Sequence, residues 1–582
     1  MRNDEIAEMF EQVATFLRIL EDNPFHARAY DKAARVIRGT SESFTKMIEN
    51  DVDIAKKYRG IGSSISDHIR EIAETGKLSK LQDLMEKVPA GLLDITKIRG
   101  IGPKTARSVW KKGYIETISE LEEAAKTNQL RKISGIGPKT EEKIVKGIED
   151  YKNWEKRILL SETDAIVDEL SEYLKKNEAI ERFEVAGSWR RRKQTVGDLD
   201  VLAISDQNTE VMDYFTSWNK VESIESTGKT KSVIIIADDF RIDFRLLAPK
   251  SFGAALCYFT GSKAHNIHLR TIANDRNLTI SEYGVFKLPS DSKKSDKSEK
   301  QWIAGKQEED VYKTLDLKWI PPELREDKGE VEASANGKLP NLITLDDIKG
   351  DLQMHSNRTD GNNAMEEMIR GCISKGYQYM AITDHTQSVG VTGGLDTEEI
   401  KKQISDIGSF NDEYDEIEIL AGLEVDILED GSLDTDSEIL QDLDIVLGSI
   451  HSKFELDRSD QTERVLKALN NPHIDVYSHP TGRIINKRDP INVDFEPLFQ
   501  AAEDNHVIIE CNSQPDRLDL DDVNLKRLKD FDVYVSINTD AHTVGQLDFM
   551  KYGINQARRG WIEPNKVINA QNFSTLNEYL KK

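Results

Sequence analysis

Cysteine is scarce in this chain, which has three among 582 residues, Cys257, Cys372 and Cys511. Their spacing does not match a metal-binding cysteine pair, so we expect buried reduced thiols and neither a disulfide framework nor a cysteine-rich zinc site. The chain also lacks any run of about 20 apolar residues, which a transmembrane helix requires. Its first five residues lack the basic and apolar regions of a signal peptide. These absences predict a cytoplasmic protein with no membrane partner.

Basic residues are fewer than acidic residues, with 79 Lys and Arg against 104 Asp and Glu, and the formal net charge is -25. This surplus of negative charge argues against nucleic-acid binding, because an acidic surface repels phosphates. The surplus is confined to residues 321–582, since the two signs are balanced over residues 1–320. The first part can therefore present basic surfaces, and the second can concentrate metal ligands. The length predicts several domains, because single cores stop growing near about 250–300 residues.

Helical periodicity and a repeated glycine motif mark the first 150 residues. Apolar residues three and four positions apart predict helices in residues 6–20 and 27–37. Three copies of the motif each precede a further helical pattern: Arg59-Gly60-Ile61-Gly62-Ser63, Arg99-Gly100-Ile101-Gly102-Pro103-Lys104 and Ser134-Gly135-Ile136-Gly137-Pro138-Lys139. Each turn leaves backbone N–H groups free at a helix N-terminus, which favours a phosphate oxygen, and Lys104 and Lys139 add positive charge. One copy is equally compatible with a plain turn between helices, whereas three copies favour phosphate binding.

Three aspartates have the pattern of a divalent-cation site. Asp198 and Asp200 are two residues apart in an apolar run, so on a strand their side chains point the same way. A neighbouring strand could bring in Asp243 from a second apolar run. Mg²⁺ prefers carboxylate oxygens, and two such ions can stabilise the attacking and leaving oxygens of an in-line displacement. An isolated Asp-x-Asp is more often a solvated strand edge, but the third aspartate and the preceding Gly187-Ser188 turn favour nucleotidyl transfer.

The residues around these aspartates carry a family resemblance. Gly187 permits close backbone approach to a triphosphate, and Ser188 and Arg191 offer hydrogen-bond donors. Four motifs carry the resemblance: Gly187-Ser188-Trp189-Arg190-Arg191, Gly197-Asp198-Leu199-Asp200-Val201, Arg241-Ile242-Asp243-Phe244 and Tyr258-Phe259-Thr260-Gly261-Ser262-Lys263-Ala264-His265-Asn266. Together they resemble the family X DNA polymerases, to which DNA polymerase beta belongs.

The resemblance implies that Asp198, Asp200 and Asp243 bind two catalytic Mg²⁺ or Mn²⁺ ions and that Asp243 helps to deprotonate the primer 3′ hydroxyl. It implies that Arg241 contacts the primer backbone. The implied nucleotide-binding residues are Gly187, Ser188, Arg191, Tyr258, Gly261, Ser262 and Asn266. The glycine motifs resemble helix-hairpin-helix motifs, which hold the DNA backbone without reading its sequence. The Schiff-base lysine of DNA polymerase beta is replaced here by His68, whose imidazole cannot form the imine in the same way.

From residue 341 onward, short apolar runs repeatedly end in His, Asp or Glu. Residues 419–423 precede Glu424, for example, and residues 445–450 precede His451. Ligands at the carboxyl ends of successive strands are what a TIM-like βα barrel needs to form one cluster. A lone histidine at a strand end is more often a core residue, as we expect for His473 and His506. Five such histidines with interleaved carboxylates favour a metal cluster.

This part of the chain resembles a PHP (polymerase and histidinol phosphatase) domain. The resemblance implies phosphoester hydrolysis with two or three Mn²⁺, Zn²⁺ or Fe ions. The implied ligands are His355, Asp360, His385, Glu424, His451, His479, Asp540 and His542. The family commonly opens with His-x-His, whereas this chain has Gln353-Met354-His355. An amide oxygen is a poorer ligand than imidazole, so we expect one ion to bind weakly.

The expected fold is multidomain, with a helical helix-hairpin-helix N-terminal region, an α+β nucleotidyltransferase palm and thumb, and a C-terminal distorted TIM-like (βα)7 barrel. The expected domains are a helical DNA-end-binding domain (1–90), a helix-hairpin-helix fingers-like domain (91–150), the start of the palm (151–240), the rest of the palm and the thumb (241–325), a linker (326–340) and a PHP phosphoesterase domain (341–582).

The expected function is gap-filling DNA synthesis in base-excision repair, with a Mn²⁺-dependent 3′–5′ exonuclease, 3′-end-processing or AP-endonuclease activity. The expected partners are gapped or nicked duplex DNA and deoxynucleoside triphosphates, bound by a monomer. One alternative is a DNA-end-binding scaffold with a degenerate barrel, for which Gln353 leaves room. A second is another nucleotidyltransferase fused to a small-molecule phosphatase, against which the three phosphate-binding turns argue.

Overall fold

The computed structural model of the protein describes residues 3–21, 24–38, 44–49, 52–58, 61–98, 101–154, 157–288, 301–388 and 393–580. These residues form a helical region, a region built on a mixed β-sheet, and a parallel barrel. Within the described residues, no helix has both the length and the apolar character needed to cross a membrane.

The helical region occupies residues 3–154. Its helices are α1 (Asn3–Leu20), α2 (Pro24–Arg38), α3 (Phe44–Glu49), α4 (Ile54–Lys57), α5 (Ser63–Thr75), α6 (Ser79–Met85), α7 (Gly91–Lys97), α8 (Pro103–Gly113), α9 (Ile118–Lys126) and α10 (Pro138–Trp154). The helices predicted in residues 6–20 and 27–37 are confirmed as parts of α1 and α2. One hydrophobic cluster extends from Ile6 to Ile148, so the two helical domains expected from the sequence share a continuous core.

The mixed-sheet region follows, over residues 157–335. Its strands are β1 (Ile158–Leu159), β2 (Arg182–Val185), β3 (Thr195–Val196), β4 (Asp198–Ile204), β5 (Ser223–Thr227), β6 (Lys231–Ile236), β7 (Phe240–Leu246), β8 (Leu278–Ser281), β9 (Gly284–Lys287) and β10 (Gln301–Ala304). Its helices are α11 (Leu160–Lys175), α12 (Gly187–Arg190), α13 (Asn208–Thr216), α14 (Phe252–Thr260), α15 (Lys263–Asp275), α16 (Glu308–Lys313) and α17 (Glu330–Ala335).

The main sheet of this region has the strand order β2-β4-β7-β6-β5. Strands β4 and β7 are parallel and central, and the other neighbours are antiparallel. The β4–β7 register pairs Asp200 with Asp243, so the neighbouring strand that the sequence required for Asp243 is present. Strands β8, β9 and β10 form a separate antiparallel sheet.

The last part is a barrel of parallel strands in sequential order. Its strands are β11 (Gly350–Asp351), β12 (Tyr379–Ile382), β13 (Glu418–Asp426), β14 (Ile445–Ser449), β15 (Val476–Tyr477), β16 (Ile508–Asn512) and β17 (Val535–Asn538). Its helices are α18 (Met365–Ser374), α19 (Thr397–Glu413), α20 (Ser437–Leu440), α21 (Arg458–Leu469), α22 (Phe495–Asn505), α23 (Asp522–Leu528), α24 (Met550–Arg559) and α25 (Phe573–Leu580). A bridge between Met354 and Ala541, just beyond β11 and β17, nearly closes the ring. The predicted TIM-like (βα)7 barrel is confirmed.

Residues 326–340 differ from the linker expected from their composition. They contain α17, and Glu330 is fully buried, where its carboxylate lies 2.6 Å from Nδ1 of His265 and accepts the backbone N–H groups of Asp327 and Lys328. Glu326 accepts a hydrogen bond from Arg191. Buried carboxylates need such partners, so the segment is held against the mixed-sheet region despite its polar composition.

The barrel packs directly on the mixed-sheet region. Ile485, Leu518 and Tyr552 of the barrel belong to the hydrophobic cluster beneath the main sheet. Trp561 belongs to the cluster formed by α14, α15, α16 and the β8–β10 sheet. The two regions therefore share buried apolar surface instead of being joined only by a tether.

Because Trp561 is 8% exposed and fills a cluster from another region, truncating it should destabilise the joined body. We expect Trp561→Ala to cost about 3–5 kcal/mol of unfolding free energy, the usual penalty for emptying a buried aromatic site. Thermal unfolding followed by calorimetry would show a lower midpoint temperature. Tyr283→Ala is the matched control, because Tyr283 is 61% exposed. An unchanged midpoint for Trp561→Ala would contradict the shared core.

Candidate metal centres and phosphate-binding turns

The three predicted aspartates meet at the centre of the main sheet. Asp198 and Asp200 lie on β4, and Asp243 lies beside Asp200 on β7. Arg241 Nε donates to Asp243 Oδ1 at 2.8 Å, and Lys231 Nζ lies 3.0 Å from Asp243 Oδ2. The residue predicted to contact the primer backbone, Arg241, is therefore adjacent to the carboxylates.

The pKa values of Asp200 and Asp243 are shifted in opposite directions. Burial raises the pKa of Asp200 to about 7, and the neighbouring carboxylates of Asp198 and Asp243 add to the rise. Burial also acts to raise the pKa of Asp243, but hydrogen bonds from Arg241 and Lys231 outweigh it and hold that pKa below its ordinary value. Carboxylates that repel one another in a partly buried site fit a divalent cation, which would neutralise them together.

Among the predicted nucleotide-binding residues, Gly187 lies next to the aspartates and Arg191 links it to Gly261. Gly187 begins the one-turn helix α12 at φ 67°, and a Cβ on it would lie 3.5 Å from Asp200 Oδ2. This backbone conformation favours glycine. Arg191 follows α12, and its Nη1 donates 2.5 Å to the carbonyl oxygen of Thr260. Gly261 has φ 72°, and a Cβ there would lie 3.2 Å from Arg191 Nη1.

The remaining nucleotide-binding candidates continue from Gly261. Ser262 caps the N-terminus of α15, where its hydroxyl accepts the His265 N–H at 3.3 Å. Asn266 Nδ2 donates to the Tyr258 carbonyl oxygen at 2.7 Å. Ser188 lies within α12, next to Gly187. All of the predicted nucleotide-binding side chains therefore lie on two short segments, around α12 and at the α14–α15 junction.

Arg191 has a partner that the motif did not indicate. Its Nε donates to Glu326 Oε1 at 3.0 Å, and its side chain is only 12% exposed. Arg157 is another cation close to the site, and the sequence did not single it out. Burial lowers its pKa, and its charge interacts with Asp198 and Arg191.

The described residues of the three glycine motifs have two features in common. Helices α5, α8 and α10 begin directly after Gly62, Gly102 and Gly137. The central isoleucines, Ile61, Ile101 and Ile136, are each 3% exposed and donate their N–H to the residue three positions earlier. A Cβ at Gly62, Gly102, Gly135 or Gly137 would meet nothing within 4 Å, so the space in front of each turn is open to a phosphate. Lys104 is exposed, Gly60 and Gly100 lie outside the described residues, and so does the side chain of Lys139.

His68 is paired with Tyr30. The Tyr30 hydroxyl lies 3.0 Å from His68 Nδ1, and the two rings stack with centroids 5.7 Å apart. Burial lowers the pKa of His68. A neutral imidazole engaged in this way is not a Schiff-base nucleophile.

The barrel ligands converge at the carboxyl ends of their strands. Glu424 lies on β13, and the others follow β11, β12, β14, β15 and β17. Their ligand atoms fall into three overlapping groups, within each of which all atoms lie within 4.8 Å of one another: His355, Asp360, His385 and His542; His385, Glu424 and His451; and His355, Glu424 and Asp540. His479 Nε2 lies 2.9 Å from Glu424 Oε1. The sequence-based prediction placed all eight residues in one cluster, and the structure brings all eight together.

The donor set fits metal ions. Nδ1 of His355, His385, His451 and His479 is buried without a hydrogen-bond partner, which is costly unless another group accepts its lone pair or proton. Burial acts to lower the pKa of His451, but Asp426 and Glu424 outweigh it and raise that pKa to about 9. Cations compete with such protons for the same lone pairs.

Gln353 orients the shared carboxylate. Its Nε2 donates to Glu424 Oε2 at 3.2 Å, and its Oε1 accepts from Ser478 Oγ at 2.8 Å. Ser478 Oγ also lies 2.8 Å from Glu510 Oε2. Burial raises the pKa of Glu510 to about 8, and the charge of Asp540 adds to the rise. This supporting network was missed by sequence reasoning, although Glu510 ends an apolar run.

Arg517 is a further residue that the sequence did not single out. Its Nε lies 3.8 Å from Asp540 Oδ2, at the edge of the ligand cluster. Burial lowers the pKa of His479 to about 4, and the charge of Arg517 adds to the decrease. A partly exposed arginine beside a metal cluster is suited to binding a phosphate.

Comparison with known proteins assigns the parts of the chain. Family models match a helix-hairpin-helix domain (residues 1–78), a SAM-like helix-hairpin-helix tandem (92–150), a DNA polymerase beta thumb (255–326) and a PHP domain (351–514). The DNA polymerase/3′-5′ exonuclease PolX of Bacillus subtilis (strain 168) is 36% identical over 584 residues, covering 100% of both chains. The chain belongs to the family X DNA polymerases that carry a C-terminal PHP domain.

Two further relatives each match part of this family X chain. DNA polymerase lambda of Arabidopsis thaliana is 26% identical over 352 residues, 56% of this chain and 62% of its own length. A probable phosphatase of Thermoanaerobacter sp. (strain X514) is 26% identical over 245 residues, 40% of this chain and 94% of its own length.

The overlap of the ligand groups predicts unequal effects on metal loading. Glu424 belongs to two groups and His542 to one. We therefore expect Glu424→Gln to lower the metal content of the purified full chain more than His542→Gln does. Metal content would be measured by mass spectrometry after dialysis against Mn²⁺. Asp198→Ala combined with Asp200→Ala should leave the barrel's share unchanged, and equal losses in the two barrel variants would contradict the shared role of Glu424.

Proposed function

We propose that the chain fills short gaps in duplex DNA from deoxynucleoside triphosphates and that its PHP domain is a Mn²⁺-dependent 3′–5′ exonuclease that also processes blocked 3′ ends or abasic sites. The observation that carries this proposal is two separate ligand sets in one chain, an aspartate triad on β4 and β7 and a histidine-carboxylate cluster in the barrel. The Bacillus subtilis relative has both activities in its name.

In the polymerase site, the chain's own residues hold the nucleotide and the primer end. Asp198, Asp200 and Asp243 would hold Mg²⁺ or Mn²⁺, and Asp243 would also take part in removing the 3′-hydroxyl proton. Backbone and side-chain donors of Gly187 and Ser188 would bind phosphate oxygens. Divalent cations bound at either site would supply Lewis-acid charge, and in the barrel a water of lowered pKa.

The nucleotide-binding segments and the glycine turns would supply the remaining contacts with the nucleotide and the DNA. Arg191 would bind the triphosphate, while Tyr258, Gly261 and Ser262 would border the sugar and Asn266 would lie near the nascent base. The turns at Gly62, Gly102, Gly135 and Gly137, with Gly60, Gly100, Lys104 and Lys139, would hold the DNA backbone through N–H groups and charge. Such contacts carry no base preference, as gap filling requires.

In the barrel, the eight ligands would hold two or three Mn²⁺, Zn²⁺ or Fe ions. Gln353 would keep Glu424 in place through its amide, so it supports the cluster even though it is a poor ligand itself. The intact, mutually oriented ligand set argues against the alternative of a DNA-end scaffold with a degenerate barrel.

The two ligand sets predict separable activities. Asp198→Ala combined with Asp200→Ala should abolish nucleotide addition and spare 3′ hydrolysis, because the barrel ligands are untouched. His355→Ala should do the reverse. Both activities would be measured on one gapped duplex with labelled primer, Mn²⁺, and deoxynucleotides added or omitted. Loss of both activities in a folded, DNA-bound aspartate variant would rule out two independent sites.

Arg517 generates a second test in the barrel. We expect Arg517→Gln to lower exonuclease kcat/KM by about tenfold, because a charge-assisted phosphate contact is lost. Metal content and gap filling should stay unchanged, and Arg517→Lys should recover part of the loss. Arg458→Gln removes an exposed arginine 3.6 Å from Asp494 and is the matched control. Wild-type exonuclease kinetics in Arg517→Gln would exclude phosphate binding by this residue.

A further inference from the structure

A barrel arginine lies where the palm, the end of the thumb and the barrel meet. Arg559 is the last residue of α24 and is 5% exposed. Its Nη1 donates to the backbone carbonyl oxygen of Arg191 at 2.8 Å and to Glu326 Oε1 at 3.2 Å. Its Nη2 donates to Asp522 Oδ2 at 2.8 Å. One guanidinium thus joins residues from three parts of the chain.

One carboxylate oxygen of Glu326 accepts hydrogen bonds from two arginines. Oε1 accepts from Arg191 Nε at 3.0 Å and from Arg559 Nη1 at 3.2 Å. The side chains of Arg191, Glu326 and Arg559 are between 4% and 14% exposed. Water and salt screen charges weakly at such burial, so the strength of one pair depends on the other.

The charge balance of this cluster bears on Arg191. Burial acts to raise the pKa of Glu326, but Arg559 and then Arg191 outweigh it and lower that pKa to about 2. Glu326 is therefore a full negative charge at neutral pH. An incoming triphosphate must compete with that charge for Arg191. Arg559 neutralises part of the Glu326 charge. Glu326 therefore competes with a triphosphate for Arg191 less strongly than it would if Arg191 were its main partner.

We propose that Arg559 of the PHP domain is a positioning residue for nucleotide binding in the polymerase site. It holds Glu326 and the backbone of Arg191, and so leaves the Arg191 side chain able to engage a triphosphate. This inference rests on the proposed role of Arg191 in nucleotide binding. It makes the barrel part of the polymerase site, beyond its own hydrolytic chemistry.

The test uses steady-state gap filling by the full chain with varied deoxynucleotide concentration. Arg559→Gln should raise KM for the nucleotide about tenfold while kcat stays within about twofold. Exonuclease activity should persist, which would report a folded barrel. Arg559→Lys keeps the charge and should recover part of the KM.

Arg558→Gln is the matched control. Arg558 is on the same helix and at the same interface, but its Nε donates to Glu323 Oε1 at 2.9 Å and its Nη1 to the Ile343 carbonyl oxygen at 2.9 Å. It makes no contact with Glu326 among the hydrogen bonds and ion pairs of the described residues. We expect its KM to match the wild type. An equal rise in both variants would mean that general loosening of the interface raises KM, which would overturn the proposal.

A double variant separates charge competition from loosening. Adding Glu326→Gln to Arg559→Gln should lower KM again, because the unneutralised competitor for Arg191 is removed. A KM as high as or higher than that of Arg559→Gln alone would overturn the proposal. Arg191→Ala tests the underlying function: if it leaves KM unchanged while the wild type adds nucleotides, the triphosphate role itself fails. If Arg191→Ala raises KM and Arg559→Gln does not, only the positioning role fails.

Discussion

Parallel strand pairing is the constraint on which both sites depend. In the main sheet, the parallel register of β4 and β7 sets Asp200 directly beside Asp243. In the barrel, seven parallel strands in sequential order direct their carboxyl ends to one edge, where loops deliver histidines and carboxylates. Parallel strands require long connections, which in the barrel are helices that bury the outer faces of the strands. Ligands far apart in the chain therefore meet without a loop having to fold over them.

The two sites differ in the charged groups that they bring together. The polymerase triad contains carboxylates that repel one another, and Arg241 and Lys231 contact Asp243. The barrel cluster mixes imidazoles with carboxylates, and Glu424 lies within 3.2 Å of ring nitrogens of His355, His451 and His479. The first arrangement suits hard cations with phosphate oxygens as additional ligands, and the second suits metals that accept nitrogen. One polypeptide thus contains two different candidate metal environments.

The junction between these environments is built from buried side chains. Trp561 and Tyr552 of the barrel complete hydrophobic clusters of the thumb and palm, and Arg559 joins the ion pairs there. Glu326, in a segment whose composition indicates a linker, is central to this junction. Because barrel side chains fill part of the core of the mixed-sheet region, the two regions are joined by buried contacts even though their ligand sets are distinct.

The local chemistry was readable from the sequence: the glycine turns before helices, the Asp-x-Asp on a strand, and the ligands after apolar runs all depend on residues near one another in the chain. The pairing of Glu326 with Arg559, 233 residues away, was not readable, and neither were the amide contacts of Gln353 or the position of Arg517. The sequence by itself determined the candidate residues for binding metal, phosphate and DNA, because side-chain chemistry and short-range periodicity are local properties. The tertiary structure alone decided which charges share a buried partner, because burial and long-range packing set the strength of an ion pair.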